Sequence, residues 1–500
     1  MKKITLKSCK GGLNKLLIVT LVAFALHTEF AYGSRIAKNS RGETDTSVNA
    51  FIRRYLGINK SVLLLHYPKS VMRFYTIYGQ ETAWVCQSNT RQTWQAMMLL
   101  DCVLQYGLSP ADYHPEELLY EPLHTMIEEP AKISNAKKAK FDILLTDALI
   151  ALMNNLHFGK LNPEFSNDRI DEGLGLPFHA ETALLSAKQQ PQFIAAIESA
   201  QPHSKQYSAM QDKLRQLRGV YKADCYQTPE AEVTKIAINM ERLRWASFDT
   251  NIYIQINIPS YTLTYQRPEA SYKFKAVVGN TTAPTPTLNS NISYLTTFPE
   301  WKIAKQVFIN QLLPNALRDT AYLENNHYVV YDRFNNYVKI SRNQLLTIIK
   351  HPEQYYARQS SGCDNAMGQL VFHFKNVYDI YLHDSPEHQL FIPEERPFGR
   401  SCVRIENAWQ LAEMLLTFEK DAAKMTLFQK ALKKHLTRNI SLKMPVPIKV
   451  TYLTCEVAEG LVIDYKDVYD MDKSLEMALY PKNTTLTLKI HQNGKNIDSH

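Results

Sequence analysis

Apolar positions recur at helical spacing through the first half of this chain and at strand spacing through much of the second. The clearest helix is Phe141–Leu156, where apolar positions 141, 144, 145, 148, 149, 152 and 156 keep one face. Gly159 and Pro163 follow as stop signals. A second helix is predicted through Arg91–Tyr106, ending at Gly107 and Pro110, and a third over about Ser208–Arg218. Near residue 252 the period falls to two. Ile252–Ile258, Tyr261–Tyr265 and Phe274–Val278 read as short strands parted by turn residues, and Leu370–Phe374, Val377–Leu382 and Ile448–Leu453 read as more. One helix intervenes: Asn407 offers a cap, Gln410 stands three residues on, and Ala408, Leu411, Ala412 and Leu415 share a face. Residues 305–357 break the strand pattern with mixed helical stretches and read as an inserted subdomain.

The pattern predicts an α+β multidomain chain. Residues 51–235 form an all-α domain, and 236–480 form a mainly β domain carrying the 305–357 insertion. A polar lead-in over 34–50 and a tail over 481–500 flank them. Lys2, Lys3, Lys7, Lys10 and Lys15 precede the apolar run Leu16–Leu26, and Ala31-Tyr32-Gly33 offers small residues at a cleavage site. Residues 1–33 therefore have the layout of a secretory signal peptide. The expected location is outside the cytoplasm, in the periplasm or cell envelope, with attachment to the membrane only if the segment stays uncleaved.

Composition narrows the function classes. At 45% hydrophobic and 21% charged, with 28 Tyr and 20 Phe, the 500 residues can build sizeable cores. The net charge of +8 is spread along the chain without a dense Lys/Arg tract, so no nucleic-acid partner is expected. A mildly basic surface suits an anionic polymer such as a cell-wall glycan. The seven cysteines include no CxxC pair, which gives no structural zinc signature. Loss of the signal would remove Cys9 and leave six thiols in an oxidising compartment. If Cys402 is a working thiol, one of the other five must also stay unpaired.

Cys402 is the leading nucleophile. Arg400 and Arg404 flank it and would lower its pKa, and His383, nineteen residues upstream at a predicted strand end, could take its proton. Asp384 could orient that imidazole by its carboxylate or by its backbone carbonyl. A buried structural cysteine is the plain alternative, and His373 and His388 are rival bases. These three histidines lack the spacing of a helical zinc pair, so neither metal nor cofactor is expected.

His383, Cys402, Val403 and Arg404 resemble the catalytic signature of the L,D-transpeptidases with a YkuD-like domain. The resemblance continues in order through Ile238–Trp245, Val278-Gly279, Thr285-Pro286, Pro299-Glu-Trp301, Asn365-Ala-Met-Gly368 and Tyr381–Pro386. Leu144–Ala148 with Gly159 resembles the N-terminal scaffold of the large, YcbB-like subgroup. It covers roughly residues 50–475. It implies a thioester mechanism with Cys402 as nucleophile and His383 as general base and acid. Backbone N–H groups of Ser401 and Cys402 would hold the oxyanion. Arg404, Tyr381, Asn365, Gly368 and Trp301 would bind substrate, with 305–357 as a lid. The implied partners are peptidoglycan stem peptides, a donor tetrapeptide and an acceptor amine, joined 3→3 in cell-wall and cell-shape maintenance. Carbapenem β-lactams would acylate the cysteine. The resemblance departs in two places. Where the family has Ser/Thr-x-Gly-Cys, this chain has Gly399-Arg400-Ser401-Cys402, so a turn needing glycine would be strained by Ser401. The stretch between the helix ending near Arg218 and Ile238 is also too short for the subgroup's peptidoglycan-binding module. A catalytically weak wall-binding relative and a cysteine L,D-carboxypeptidase are the alternative readings.

Overall fold

The computed structural model describes residues 46–57, 63–220, 230–246, 250–362 and 365–480. The expected signal peptide, most of the lead-in, the 481–500 tail and Cys9, Cys225 and Cys363 lie outside the described residues. Helix begins at Val48, so the last residues assigned to the lead-in already belong to the helical half.

That half is built around helix Asn135–His157. The expected single apolar face is too narrow a description, because every residue from Phe141 to Leu156 is buried. A helix enclosed on all sides must also satisfy its polar residues. Asp142 accepts the backbone N–H groups of Ala83, Trp84 and Val85 at 2.9, 2.7 and 2.8 Å and the Tyr75 hydroxyl at 2.7 Å. Asp147 takes the N–H groups of His66 and Tyr67, each at 2.9 Å, and meets His114 Nε2 at 2.7 Å. Two buried carboxylates thus pin neighbouring loops to the central helix.

The C-terminal half contributes strands β1 (Tyr253–Asn257), β2 (Thr262–Gln266), β3 (Ser271–Val277), β4 (Leu288–Thr297), β5 (Trp301–Lys302), β6 (Tyr328–Asp332), β7 (Tyr355–Gln359), β8 (Leu370–Phe374), β9 (Leu382–His383), β10 (Val403–Ile405), β11 (Arg438–Thr451), β12 (Cys455–Ala458) and β13 (Leu461–Asp464). Eight of them close into a barrel in the order β1-β11-β4-β8-β9-β10-β3-β2, which leaves that sheet no free edge. Inward positions such as Ile254, Leu263, Leu295, Phe372, Leu382 and Val403 fill it, and Leu411 and Leu415 of helix Ala408–Phe418 pack into the same core. Between β4 and β8 the chain leaves the barrel to form a subdomain with the sheet β5-β7-β6 and its own core, from Ile303 to Ala357.

Helix Glu230–Trp245 joins the halves and runs straight through the expected boundary at 235/236. Its Ile236, Met240 and Leu243 pack between Tyr207 and Leu214 on one side and Leu453 and Cys455 on the other. Arg244, buried in this joint, pairs with Glu241 at 3.0 Å and also donates to the Tyr106 carbonyl and to the Tyr207 hydroxyl.

Two local expectations fail for identifiable reasons. Val377–Leu382 is mostly a turn: Asn376 Oδ1 accepts from Tyr378 and Ile380 N–H, Asp379 sits at φ +53°, and only Leu382–His383 is strand. Asn407 precedes its helix at φ +55° with no side-chain capping bond.

Candidate active site

Strand register sets His383 beside Arg404, two residues after Cys402. Parallel strands β9 and β10 pair Leu382 with Val403 and His383 with Arg404. Leu382 and Val403 point into the barrel core. Alternation then turns His383 and Arg404 to the opposite face, while Cys402, one residue before β10, packs partly against the barrel core. The chain enters this turn along a guided path. Gly399 N–H donates to the Val278 carbonyl at 2.8 Å, Asn280 N–H donates to the Gly399 carbonyl at 3.0 Å, and Val403 N–H donates to the Tyr381 carbonyl at 3.0 Å. Gly399 itself lies against β3's end, where a Cβ would come within 2.9 Å of the Val278 oxygen.

His383 is buried, at 3% exposure. Its Nδ1 lies 2.6 Å from the Asp384 backbone carbonyl. A carbonyl only accepts, so Nδ1 carries the proton and donates. Burial, reinforced by the Arg404 charge, holds the imidazole down at about 4, against the smaller opposing pull of the Asp384 and Met367 carbonyls. At neutral pH the ring is uncharged, and its other nitrogen, Nε2, carries no proton. Of the two orienting groups left open by the residues alone, the carbonyl is the one in place. The Asp384 carboxylate instead accepts from Gln369 N–H at 2.9 Å, and burial raises its pKa.

The thiol departs from expectation. Burial pushes the Cys402 thiol up, outweighing the Tyr381 backbone and the Arg404 charge, which both pull it down. Arg400 is exposed and is not among the groups that shift it. At rest the thiol is protonated and the imidazole neutral, so the thiolate is not preformed. Arg404 also makes a long contact, 3.7 Å, with Glu387.

Ser401 is not among the residues at positive φ, so the turn does not impose the left-handed backbone that would favour glycine there. The strain expected from this replacement is absent. Among the described residues, the Ser401 and Cys402 N–H groups have no hydrogen-bond acceptor in the protein.

The other expected site residues divide. Tyr381 is half-buried and close enough to Cys402 for a thiolate there to raise its pKa. Gly368 has φ +63°, and a Cβ on it would lie 2.6 Å from the Asp384 side chain, so it buttresses the histidine's partner. Trp301 is half-buried on β5 against the insertion's own core. Asn365 is not free to bind substrate: at 1% exposure, its amide donates to the carbonyls of Pro299 and Ser360 at 3.0 Å each, and its Oδ1 accepts from Met367 N–H at 2.8 Å. It closes the neck of the insertion. His388 is exposed on the loop after β9, and His373 lies on β8. Sequence reasoning missed Arg396. Its buried guanidinium donates to the carbonyls of Ala276, Tyr261, Pro393 and Glu394 at 3.1, 2.9, 2.7 and 3.0 Å, tying the segment before Cys402 to the barrel. Its place directly after Glu394 and Glu395 gave no sign of burial. The described cysteines, Cys86, Cys102, Cys402 and Cys455, are all unpaired.

The closed barrel thus sets His383 and Arg404 side by side on adjoining strands, with Cys402 at the mouth of β10. Residues 251–448 match the L,D-transpeptidase catalytic domain, YkuD, and residues 69–214 match the Scaffold domain. The chain belongs to the L,D-transpeptidase family, with a YkuD catalytic domain behind an N-terminal Scaffold domain. A Haemophilus influenzae protein, provisionally named an L,D-transpeptidase, is 30% identical over 254 residues, or 50% of each chain. The chain thus spans about half the length of the curated relative it matches.

Proposed function

We propose that this protein is an exported peptidoglycan L,D-transpeptidase that forms 3→3 cross-links through a Cys402 thioester. The observation that carries the reading is the β9–β10 register, which sets His383 beside Arg404, two residues after Cys402, while the Asp384 carbonyl holds Nδ1–H. In this mechanism the unprotonated Nε2 of His383 takes the thiol proton as sulfur attacks the carbonyl of the third stem residue. Proton transfer during attack suits a thiol with a raised pKa, because the thiolate need not exist beforehand. The Ser401 and Cys402 N–H groups supply donors to the developing oxyanion. The imidazolium formed returns its proton to the departing D-alanine amine. An acceptor's side-chain amine then resolves the thioester.

The test is muropeptide analysis after incubating purified protein with disaccharide tetrapeptides. New 3→3 dimers that vanish with Cys402→Ala support the proposal. Shortened monomers without dimers would indicate hydrolysis instead. Intact mass after meropenem treatment gives a second readout: an adduct on the wild type that is missing from Cys402→Ala supports the thioester route.

A further inference from the structure

Beside the cysteine, the outer barrel face carries a cluster of rings that the mechanism does not use. The Tyr294 and His373 rings stack with centroids 4.2 Å apart and planes 9° apart, and Tyr381 meets His373 edge-on at 5.7 Å. Register explains the grouping. Tyr294 opposes His373 across β4 and β8, and Val371, the other outward residue of β8, opposes His383. The cluster is therefore continuous with the active face through Tyr381. The His373 tautomer follows from its partners. The Thr296 hydroxyl donates to Asn439 Oδ1 at 2.7 Å, so it must accept from His373 Nε2–H at 2.9 Å. Nδ1 is left as an acceptor. Burial holds this histidine down at about 4, so the stack is uncharged at neutral pH. The Tyr294 and Tyr381 hydroxyls bond to no protein group among the described residues. Exposed Asn439, Ser441 and Ser293 border the rings. Flat neutral rings edged by hydroxyl and amide groups suit a sugar, whose C–H faces stack on aromatics while its hydroxyls bond at the rim.

Resting on the peptidoglycan reading above, we infer that Tyr294, His373 and Tyr381 form a saccharide subsite that holds the glycan part of the donor beside Cys402. Only residues 221–229 separate helices Lys205–Val220 and Glu230–Trp245, too few for a glycan-binding module there.

The test is binding, and so does not depend on turnover. Full-length Cys402→Ala protein is titrated by calorimetry with a disaccharide tetrapeptide and with the same tetrapeptide lacking sugars. The sugars are expected to tighten binding about tenfold, the order of one good aromatic contact. Adding Tyr294→Leu abolishes that advantage and Tyr294→Phe retains it; melting curves confirm folding, with Tyr294→Thr as the substitute if the leucine variant does not fold. Equal affinity for the two ligands in the Cys402→Ala protein, or a sugar advantage that survives loss of the ring, overturns the inference. Sugar-dependent binding by the Cys402→Ala protein, with no dimer formation by the wild type, would leave the subsite standing and refute the transpeptidase reading instead.

Discussion

Gly368→Ala should damage the protein in two separable ways. At φ +63° a side chain of any kind costs about 1–2 kcal/mol in backbone strain. The added Cβ would also lie 2.6 Å from Asp384 Cβ and Oδ2 and 2.7 Å from its carbonyl carbon, contacts that real Cβ atoms do not make. Relieving such overpacking costs about 1–3 kcal/mol more. The loss is then about 2–5 kcal/mol, a fall in melting temperature on the order of 10 °C for a domain of this size. The atom pushed is the carbonyl carbon whose oxygen orients His383 Nδ1, so turnover falls further than stability alone requires. A displacement on the order of 1 Å at a catalytic base costs about a hundredfold. Gly175→Ala is the control. Its φ is +68°, yet nothing lies within 4 Å, so it carries the strain without the collision. Calorimetric melting and dimer formation are measured for both variants. If Gly368→Ala matches Gly175→Ala in melting and keeps wild-type turnover, the coupling of Gly368 to the imidazole through Asp384 is wrong.

Asp384→Asn keeps an acceptor for Gln369 N–H and keeps the backbone carbonyl, so turnover should change by less than about fivefold; a hundredfold loss would mean that the carboxylate itself serves the imidazole. Arg404→Ala removes a charge that lowers the pKa of both Cys402 and His383. Iodoacetamide labelling of Cys402, followed by peptide mass spectrometry, should shift to higher pH in Arg404→Ala and stay near wild type in Arg404→Lys; an unmoved profile in the alanine variant refutes the electrostatic account. Because folding lowers the His383 pKa from 6.5 to about 4, only the unfolded chain binds its proton within that window. Stability should therefore fall as pH drops from about 6.5 toward 4, by about 3 kcal/mol from this residue. Urea melts of the wild type and His383→Gln across that range test it, since the glutamine variant should lose less stability.

Strands with strict alternation were legible in the sequence. Ile252–Ile258 contains β1, and Tyr261–Tyr265 covers all of β2 but its last residue, Gln266, because each residue's partner face is written into the period. Closure of the barrel was not legible. It depends on β1 pairing in parallel with β11, joining Ile254 to Ile448, a contact no local pattern encodes. Val377–Leu382 misled because apolar residues can alternate over a turn held by an asparagine side chain. The site was legible as residue types and order, through Cys402, His383 and Arg404. Its electrostatics were not: two flanking arginines suggested a lowered thiol pKa, but burial reverses the direction, and one of those arginines points to solvent. The Ser401 question could not be answered without φ.

The helix that crosses from one half to the other has a practical side. Severing the chain at 235/236 would strip Arg244 of Tyr106 and Tyr207, stranding a cation whose remaining companion is Glu241, and would bare Ile236, Met240 and Leu243 to water. The barrel is therefore not a detachable cartridge. Swapping it among relatives would require carrying Tyr207, Leu214 and the surrounding helix along as a matched keel.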